Sequence, residues 1–149
     1  MKKIVQAVAV TGTLIAGLGL AAAPAQAAVK CINKSVPDKN YPATGSPKAQ
    51  ARSIVARFCH DPSDGTRYVT VSAQLRDSGA GDGWCARLAV SAHLNSGASQ
   101  GSTTWSECNG VWAGKSWTLS KTVDRIFFNL YTSNIQSATE WNIPRPSGY

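Results

Sequence analysis

The two histidines are the first candidates for catalysis in this sequence. His60 precedes Asp61, and a carboxylate beside an imidazole can fix its tautomer and support general-base chemistry. Adjacent residues of a strand point to opposite faces, however, so a surface turn accounts better for this pair. His93 follows Ser91 by two positions, but the sequence shows no third orienting group and no G-x-S-x-G motif. We therefore predict no catalytic residue, with a small hydrolase using either histidine as an alternative.

The cysteines could bind a metal ion or form disulfides. They are Cys31, Cys59, Cys85 and Cys108. The sequence has no C-x-x-C pair, and neither histidine stands at a ligand spacing from a cysteine pair, so a zinc site is disfavoured. It also lacks a phosphate-binding loop and a dinucleotide fingerprint. We predict two disulfides, no metal and no cofactor.

The tryptophans are candidates for contact with a sugar or a protein, because an exposed indole offers a large flat surface. They are Trp84, Trp105, Trp112, Trp117 and Trp141, all in the second half of the chain. Trp84 and Trp117 are in phase with aliphatic core positions, so we expect both to be buried. Of Trp105, Trp112 and Trp141, we expect one or two to be exposed and to contribute to binding.

The N-terminus has the pattern of a secretory signal peptide. Met1–Lys3 is positively charged, Ile4–Leu20 is apolar and rich in small residues, and Ala25–Ala27 is a small-x-small cleavage site. We predict cleavage before Ala28, which makes residues 1–27 a signal peptide. The protein is then secreted and extracellular, with no membrane span after cleavage, and its cysteines enter an oxidising compartment.

The positive charge of the exported chain is concentrated at its beginning. Residues 28–57 carry six basic side chains against Asp38 alone, whereas residues 58–149 are neutral. The six are Lys30, Lys34, Lys39, Lys48, Arg52 and Arg57. Such a segment can steer a protein toward an acidic surface, or simply keep a flexible end soluble. We take Lys30, Lys34, Lys39 and Lys48 as candidate binding residues. Nucleic acid is not predicted as a partner, because the segment has few aromatic side chains for base stacking.

The sequence pattern predicts strands after residue 50. The chain has 149 residues, of which 43% are hydrophobic, and this length and composition suit one globular domain. Apolar and polar residues alternate with a period of two over 67–76, 84–95, 117–120 and 126–131. Residues 51–60 fit a helix or a strand, and we choose a strand because of their β-branched residues. Turn residues at 61–65, 77–83 and 109–110 separate these segments, and the simplest arrangement is a meander.

The first part of the exported chain has no sustained apolar period. Pro37, Pro42, Pro47 and Gly45 interrupt any regular element there. We therefore predict an irregular basic arm over 28–50 and a single β domain over 51–149. The fold class is all-β: a small two-sheet β-sandwich with an irregular N-terminal arm and two disulfides.

The predicted strand order restricts the disulfide pairing. A strand of about ten residues separates Cys59 from Cys85 by roughly 30 Å, whereas bridged Cα atoms lie about 6 Å apart. Of the two remaining connectivities, we prefer Cys31 with Cys59 and Cys85 with Cys108. The second bridge would then join neighbouring strands of one hairpin, and the first would tie the arm to the sheet.

Three short motifs and the position of Cys31 on a long segment carry a resemblance. The motifs are Gly83-Trp84-Cys85, Cys108-Asn109-Gly110 and Asp124-Arg125-Ile126-Phe127-Phe128. The layout resembles small secreted disulfide-bonded β-sandwich proteins of actinobacteria and, among them, the adaptor subunit of umbrella-shaped antibacterial toxin particles. The resemblance implies a protein that bridges two other secreted chains and performs no chemistry itself.

We therefore predict a secreted, non-enzymatic binding or adaptor protein. Its arm and a tryptophan-bearing edge would contact another secreted protein, as a subunit of a toxin assembly. A protease inhibitor that uses loop 77–83 or segment 34–48 is one alternative. A small protein that binds carbohydrate or cell-wall polymer, or a hydrolase, is another.

Overall fold

The protein is described by a computed structural model over residues 28–42, 45–46, 48–94, 96–119, 122–134 and 137–149. The predicted signal peptide, residues 1–27, lies outside the described residues. In those ranges the strands are β1 (Lys30–Val36), β2 (Lys39–Tyr41), β3 (Ala49–His60), β4 (Arg67–Asp77), β5 (Ala86–Leu94), β6 (Ser99–Glu107), β7 (Ala113–Leu119), β8 (Val123–Thr132) and β9 (Thr139–Pro144). The described residues contain no helix with the length and apolar character needed to cross a lipid bilayer.

The strands form two antiparallel sheets, which confirms the predicted two-sheet all-β fold. Sheet A has the order β1-β3-β4-β7, with β2 pairing with β3 beyond the end of β1. Sheet B has the order β6-β5-β8-β9. Strands β1 and β7 are therefore the ends of one sheet, and β6 and β9 are the ends of the other.

The core lies between the inward faces of the two sheets, where the predicted alternation places aliphatic and aromatic side chains. The largest fully buried side chains are Phe128, Ile54, Leu75, Leu88, Ile126, Leu130, Val69 and Val71. They come from the central strands β3, β4, β5 and β8, which have neighbours on both sides. The buried face of β3 also confirms that residues 51–60 form a strand rather than a helix.

The predicted irregular arm over 28–50 is wrong, because this segment forms the edge of sheet A. Strand β1 pairs with the second half of β3, from Lys30 opposite His60 to Val36 opposite Ile54. Strand β2 pairs with the first three residues of β3. Pro37 and Pro42 fall outside both strands, so the missing N–H groups of these prolines interrupt no ladder.

The simple meander is also wrong, because the chain passes between the sheets three times. Links β4–β5, β6–β7 and β7–β8 each join one sheet to the other, while β3–β4, β5–β6 and β8–β9 are hairpins. Asn109-Gly110 therefore lies in a crossing link rather than in a hairpin turn. Gly110 has a φ of 72°, and a Cβ atom there would lie 2.9 Å from Cβ of Ala80 in the neighbouring link. The close approach of the two links explains the glycine.

The turn between β3 and β4 forms where its residues predict it. The Asp61 N–H donates to the carbonyl of Thr66 at 2.8 Å, and Gly65 has a φ of 73°. Hydrogen bonds from the Thr66 hydroxyl and N–H hold the pKa of Asp64 below its ordinary value. These local bonds fix the reversal that brings the two longest strands side by side.

The disulfides join Cys31 to Cys59 and Cys85 to Cys108, which confirms the connectivity preferred from the sequence. Cys31 and Cys59 are direct partners in the β1–β3 register, with Cα atoms 4.1 Å apart. Cys85 precedes β5, and Cys108 follows its hairpin partner β6. One bridge therefore ties the first strand to sheet A, and the other joins the ends of a hairpin in sheet B.

A β-bulge interrupts β3 between Arg52 and Val55, and Ser53 has a φ of 51° there. This left-handed conformation costs an L-residue about 1–2 kcal/mol, and glycine is free of that cost. The bulge keeps Ala51 and Ile54 on the buried face although three positions separate them. It thereby restores the inward alternation over the full length of the strand.

Ser53→Gly should raise the free energy of unfolding by about 0.5 to 1 kcal/mol, because it relieves this backbone strain. Urea unfolding followed by tryptophan fluorescence measures the change. Ser72→Gly is the matched control, since Ser72 lies at a regular position of β4 and should lose roughly 0.5 to 1 kcal/mol. Equal destabilisation of both variants would contradict the assigned strain.

Candidate functional site

The two histidines lie on different sheets. His60 ends β3 in sheet A, and His93 lies on the outer face of β5 in sheet B, with its ring centroid 4.7 Å from that of Phe127. Within the described ranges, no group of three or more His, Cys, Asp and Glu side chains is placed to hold a metal ion. The two candidates for catalysis are therefore not brought together in one site.

Trp84 is exposed, contrary to the prediction that it is buried. It retains 46% of its accessible surface because β5 begins two residues later, at Ala86. The backbone N–H of Trp84 donates to Oδ1 of Asp82 at 2.9 Å, so Trp84 belongs to the loop before β5. Trp84 therefore lies outside the strand whose inward face carries Ala86 and Leu88, although the sequence pattern places it in phase with them. The other predicted core tryptophan, Trp117, is half-buried and packs against the core.

Trp105, Trp112 and Trp141 are each half-buried, so the expectation that one or two of them would be exposed is wrong. Trp105 of β6 meets Trp117 of β7 edge-on, with ring centroids 6.0 Å apart, and this contact closes one side of the sandwich. Trp141 stacks on Phe128 at 5.2 Å. Trp112 supports two arginine side chains.

The four candidate lysines do not form one cluster. Lys30 and Lys34 are exposed on β1. Lys48 forms an ion pair with Asp82 at 3.3 Å. Nζ of Lys39, in β2, lies 5.8 Å from the ring centroid of Trp141, in β9. Lys39 and Trp141 thus meet on the side of the sandwich where β1, β2 and β9 lie.

The loop over 77–83, considered above as an inhibitory loop, is held by its own hydrogen bonds. Oδ1 of Asp77 accepts from the Gly79 N–H, and the Asp82 N–H donates to the Gly79 carbonyl, both at 2.9 Å. The loop contains no lysine or arginine to enter a trypsin-like pocket. Segment 34–48, the other candidate, contributes β2 and the end of β1 to sheet A.

A groove of about 270 Å³ lies between the edge strands β1 and β9, and we call it the edge groove. Its lining residues are Lys34, Ser35, Val36, Asn142, Ile143, Pro144, Arg145 and Pro146. Each of the two strands pairs on one side only, with β3 and β8 respectively. The edge groove is therefore flanked by two strand edges that can accept further backbone hydrogen bonds.

One end of the edge groove is closed by contacts between β2 and the start of β9. The Thr139 hydroxyl donates to the Asn40 carbonyl at 2.9 Å, and the hydroxyls of Tyr41 and Ser137 lie 3.1 Å apart. No equivalent contact joins β1 to β9 in the described residues. The sandwich consequently stays open where Lys34–Val36 faces Asn142–Pro144.

The edge groove is apolar at its walls and positively charged. Val36 and the two prolines supply apolar surface, and the lining includes no carboxylate. Lys34 and Arg145 supply its positive charge. An anionic group of a ligand would therefore be attracted to the edge groove.

The β9 half of the edge groove was not predicted from the sequence, where the last predicted strand segment ends at residue 131. The alternation of Trp141 and Ile143 with Glu140 and Asn142 is a strand signal that could have identified it. Its six-residue length and its two nearby prolines made that signal weak.

The chain matches no protein-family model, no curated protein and no solved structure.

Proposed function

We propose that the protein is a secreted, non-enzymatic binding protein that holds an extended segment of another extracellular protein in the edge groove. The observation that carries this proposal is the open side of the sandwich between two single-sided edge strands. An extended peptide can add to such an edge by backbone hydrogen bonds, while neighbouring pockets take its side chains.

The chemistry of the edge groove supports a partner segment with apolar and acidic side chains. Val36 and the exposed Pro144 offer apolar contact. Pro144 also lacks an N–H group, which leaves β1 as the better edge for pairing. Lys34 and Arg145 favour a carboxylate or carbonyl oxygen. The partner proposed here is therefore a strand-forming segment of net negative charge.

The two disulfides indicate an oxidising compartment, because such bonds persist outside the cytosol. Together with the signal-peptide pattern of residues 1–27, they support secretion. An adaptor in a secreted antibacterial toxin assembly, as the sequence resemblance implies, is the setting we propose for this binding.

Affinity capture from the medium of the exporting cells tests the proposal. The unchanged protein should retain a partner protein, and Lys34→Glu combined with Asn142→Glu should reduce its recovery at least tenfold. The control combines Arg57→Glu with Thr118→Glu, which gives the same change in charge at exposed positions outside the edge groove. Recovery of no partner, or equal recovery with both double variants, would contradict the proposal.

A further inference from the structure

The outer face of sheet A is polar and positively charged. From the pairing register, the side chains that point outward there include Arg52, Arg57 and Arg76, together with serine, threonine, asparagine and glutamine residues. None of the outward positions on the strands of this sheet carries Asp or Glu. Among the described residues these three arginines form no ion pair. The face therefore has uncompensated positive charge.

Two of the arginines are gathered on one aromatic ring. Cζ of Arg52 lies 4.0 Å and Cζ of Arg76 lies 4.8 Å from the ring centroid of Trp112. Contact with an indole stabilises a guanidinium and restricts its orientation. Two guanidinium groups of like charge thus contact the same indole, and a bound anion would relieve their repulsion.

Hydrogen bonds fix the direction of both guanidinium groups. Nε of Arg52 donates to Oε1 of Gln74 at 2.7 Å, and Nε and Nη2 of Arg76 both donate to Oε1 of Gln50. Gln50 is itself held by Asn40 and Ser78. In the described residues, both terminal nitrogens of Arg52 and Nη1 of Arg76 have no partner. Preorientation of this kind lowers the entropy that is lost when an oxyanion binds.

A shallow groove of about 330 Å³ adjoins these arginines on the same face. Its lining includes Ser53, Ser72, Gln74, Gly114 and Ser116. Gly114 lies opposite Gln74 in the register, and its lack of a side chain leaves the space open. The volume falls within the range of small-ligand sites, and hydroxyl and amide groups are suited to hydrogen bonds with sugar hydroxyls.

We propose that the Arg52–Trp112–Arg76 cluster and the adjoining groove bind an acidic polysaccharide built from uronic acids. The two terminal nitrogens of Arg52 and Nη1 of Arg76 would donate to the planar carboxylate, and the serine and glutamine side chains would bind the ring hydroxyls beside it. The site lies on the outer face of sheet A, so it does not depend on the edge groove or on the proposed function.

An acidic peptide fits this face less well. Protein hot spots need a buried apolar or aromatic anchor, and the face has polar side chains around a tryptophan already engaged by two cations. The large exposed hydrophobic side chains of the described residues are Val29, Trp84 and Val111, and none lies on the strands of sheet A. Recognition here must therefore rest on charge and hydrogen bonds.

Isothermal titration of the disulfide-bonded protein with tetragalacturonate tests the site. Arg52→Gln and Arg76→Gln should each raise the dissociation constant at least tenfold. Arg57→Gln is the matched control, because it removes the same charge from an exposed position on the same face, and it should change the dissociation constant less than twofold. Arg52→Lys keeps the charge but loses the fork, and it should still weaken binding at least threefold.

Three results would overturn the assignment. The first is a failure of the binding test itself: either tetragalacturonate does not bind, or all three glutamine variants weaken binding equally. Equal weakening would indicate only a diffuse positive surface. The second is equal affinity for the methyl-esterified tetramer, which lacks the charge. The third is tighter binding of an oligoglutamate or a glycerol-phosphate polymer of equal charge. Thermal unfolding of each variant verifies that any loss of affinity occurs in folded protein.

Discussion

Replacing Cys31 and Cys59 with alanine should lower the free energy of unfolding by about 3 to 4 kcal/mol. The bridge closes a loop with a sequence separation of 28, and the chain-entropy model gives a stabilisation of that size for such a loop. The effect is large relative to the total stability of a domain of this size, which is of the order of 5–15 kcal/mol. Cys59 is also buried, so the variant loses packing as well.

Urea unfolding measures this loss, and hydrogen exchange locates it. Without the bridge, the amides of β1 should exchange first, because this edge strand pairs with β3 alone. Removing Cys85 and Cys108 is the control: their separation of 23 predicts a similar loss of stability, but β1 should stay protected. A loss below 1 kcal/mol, or unchanged protection of β1, would count against the role given to the first bridge.

Phe128→Ala should cost about 3 to 5 kcal/mol, because a buried aromatic side chain is lost and a cavity remains. Phe128 is fully buried between the sheets and stacks on Trp141, and such stacking contributes about 0.5–1.5 kcal/mol beyond buried area. Phe127→Ala is the neighbouring control. Its side chain lies on the outer face of sheet B against His93, so we expect a loss of about 1 kcal/mol.

Thermal and urea unfolding of the two phenylalanine variants check this difference. The emission of Trp141 should also shift to longer wavelength in Phe128→Ala, since the indole loses its stacking partner. Equal losses of stability in the two variants would show that the sheets do not pack through the assigned face of β8.

The central strands could be predicted from the sequence because burial of one face imposes a period of two. Val69, Val71 and Leu75 in β4, and Ile126, Phe128 and Leu130 in β8, carry that period directly. The edge strands lack it. Most of β1 is exposed on both faces, so burial does not select its residues, and its pairing with β3 depends on a partner about 25 residues further along the chain.

The candidate sites were predictable only in part, for the same reason. Lys34 could be singled out by its charge. Its position beside Arg145 in the edge groove arises only when two edge strands of different sheets face each other. Likewise, Arg52 and Arg76 meet at Trp112 through the registers of two strand pairs and a crossing link, and no local spacing in the sequence encodes that meeting.

The repeated passage of the chain between the sheets has a consequence for the order of assembly. Sheet A is complete only when β7 pairs with β4, from Val69 opposite Leu119 to Leu75 opposite Ala113, after the β5–β6 hairpin of sheet B has intervened. A chain that emerges N-terminus first during its synthesis therefore cannot finish its first sheet until most of its length has emerged. Such non-local pairing is intrinsically slow, so we expect the β3–β4 hairpin to form early and the later strands to be added to it.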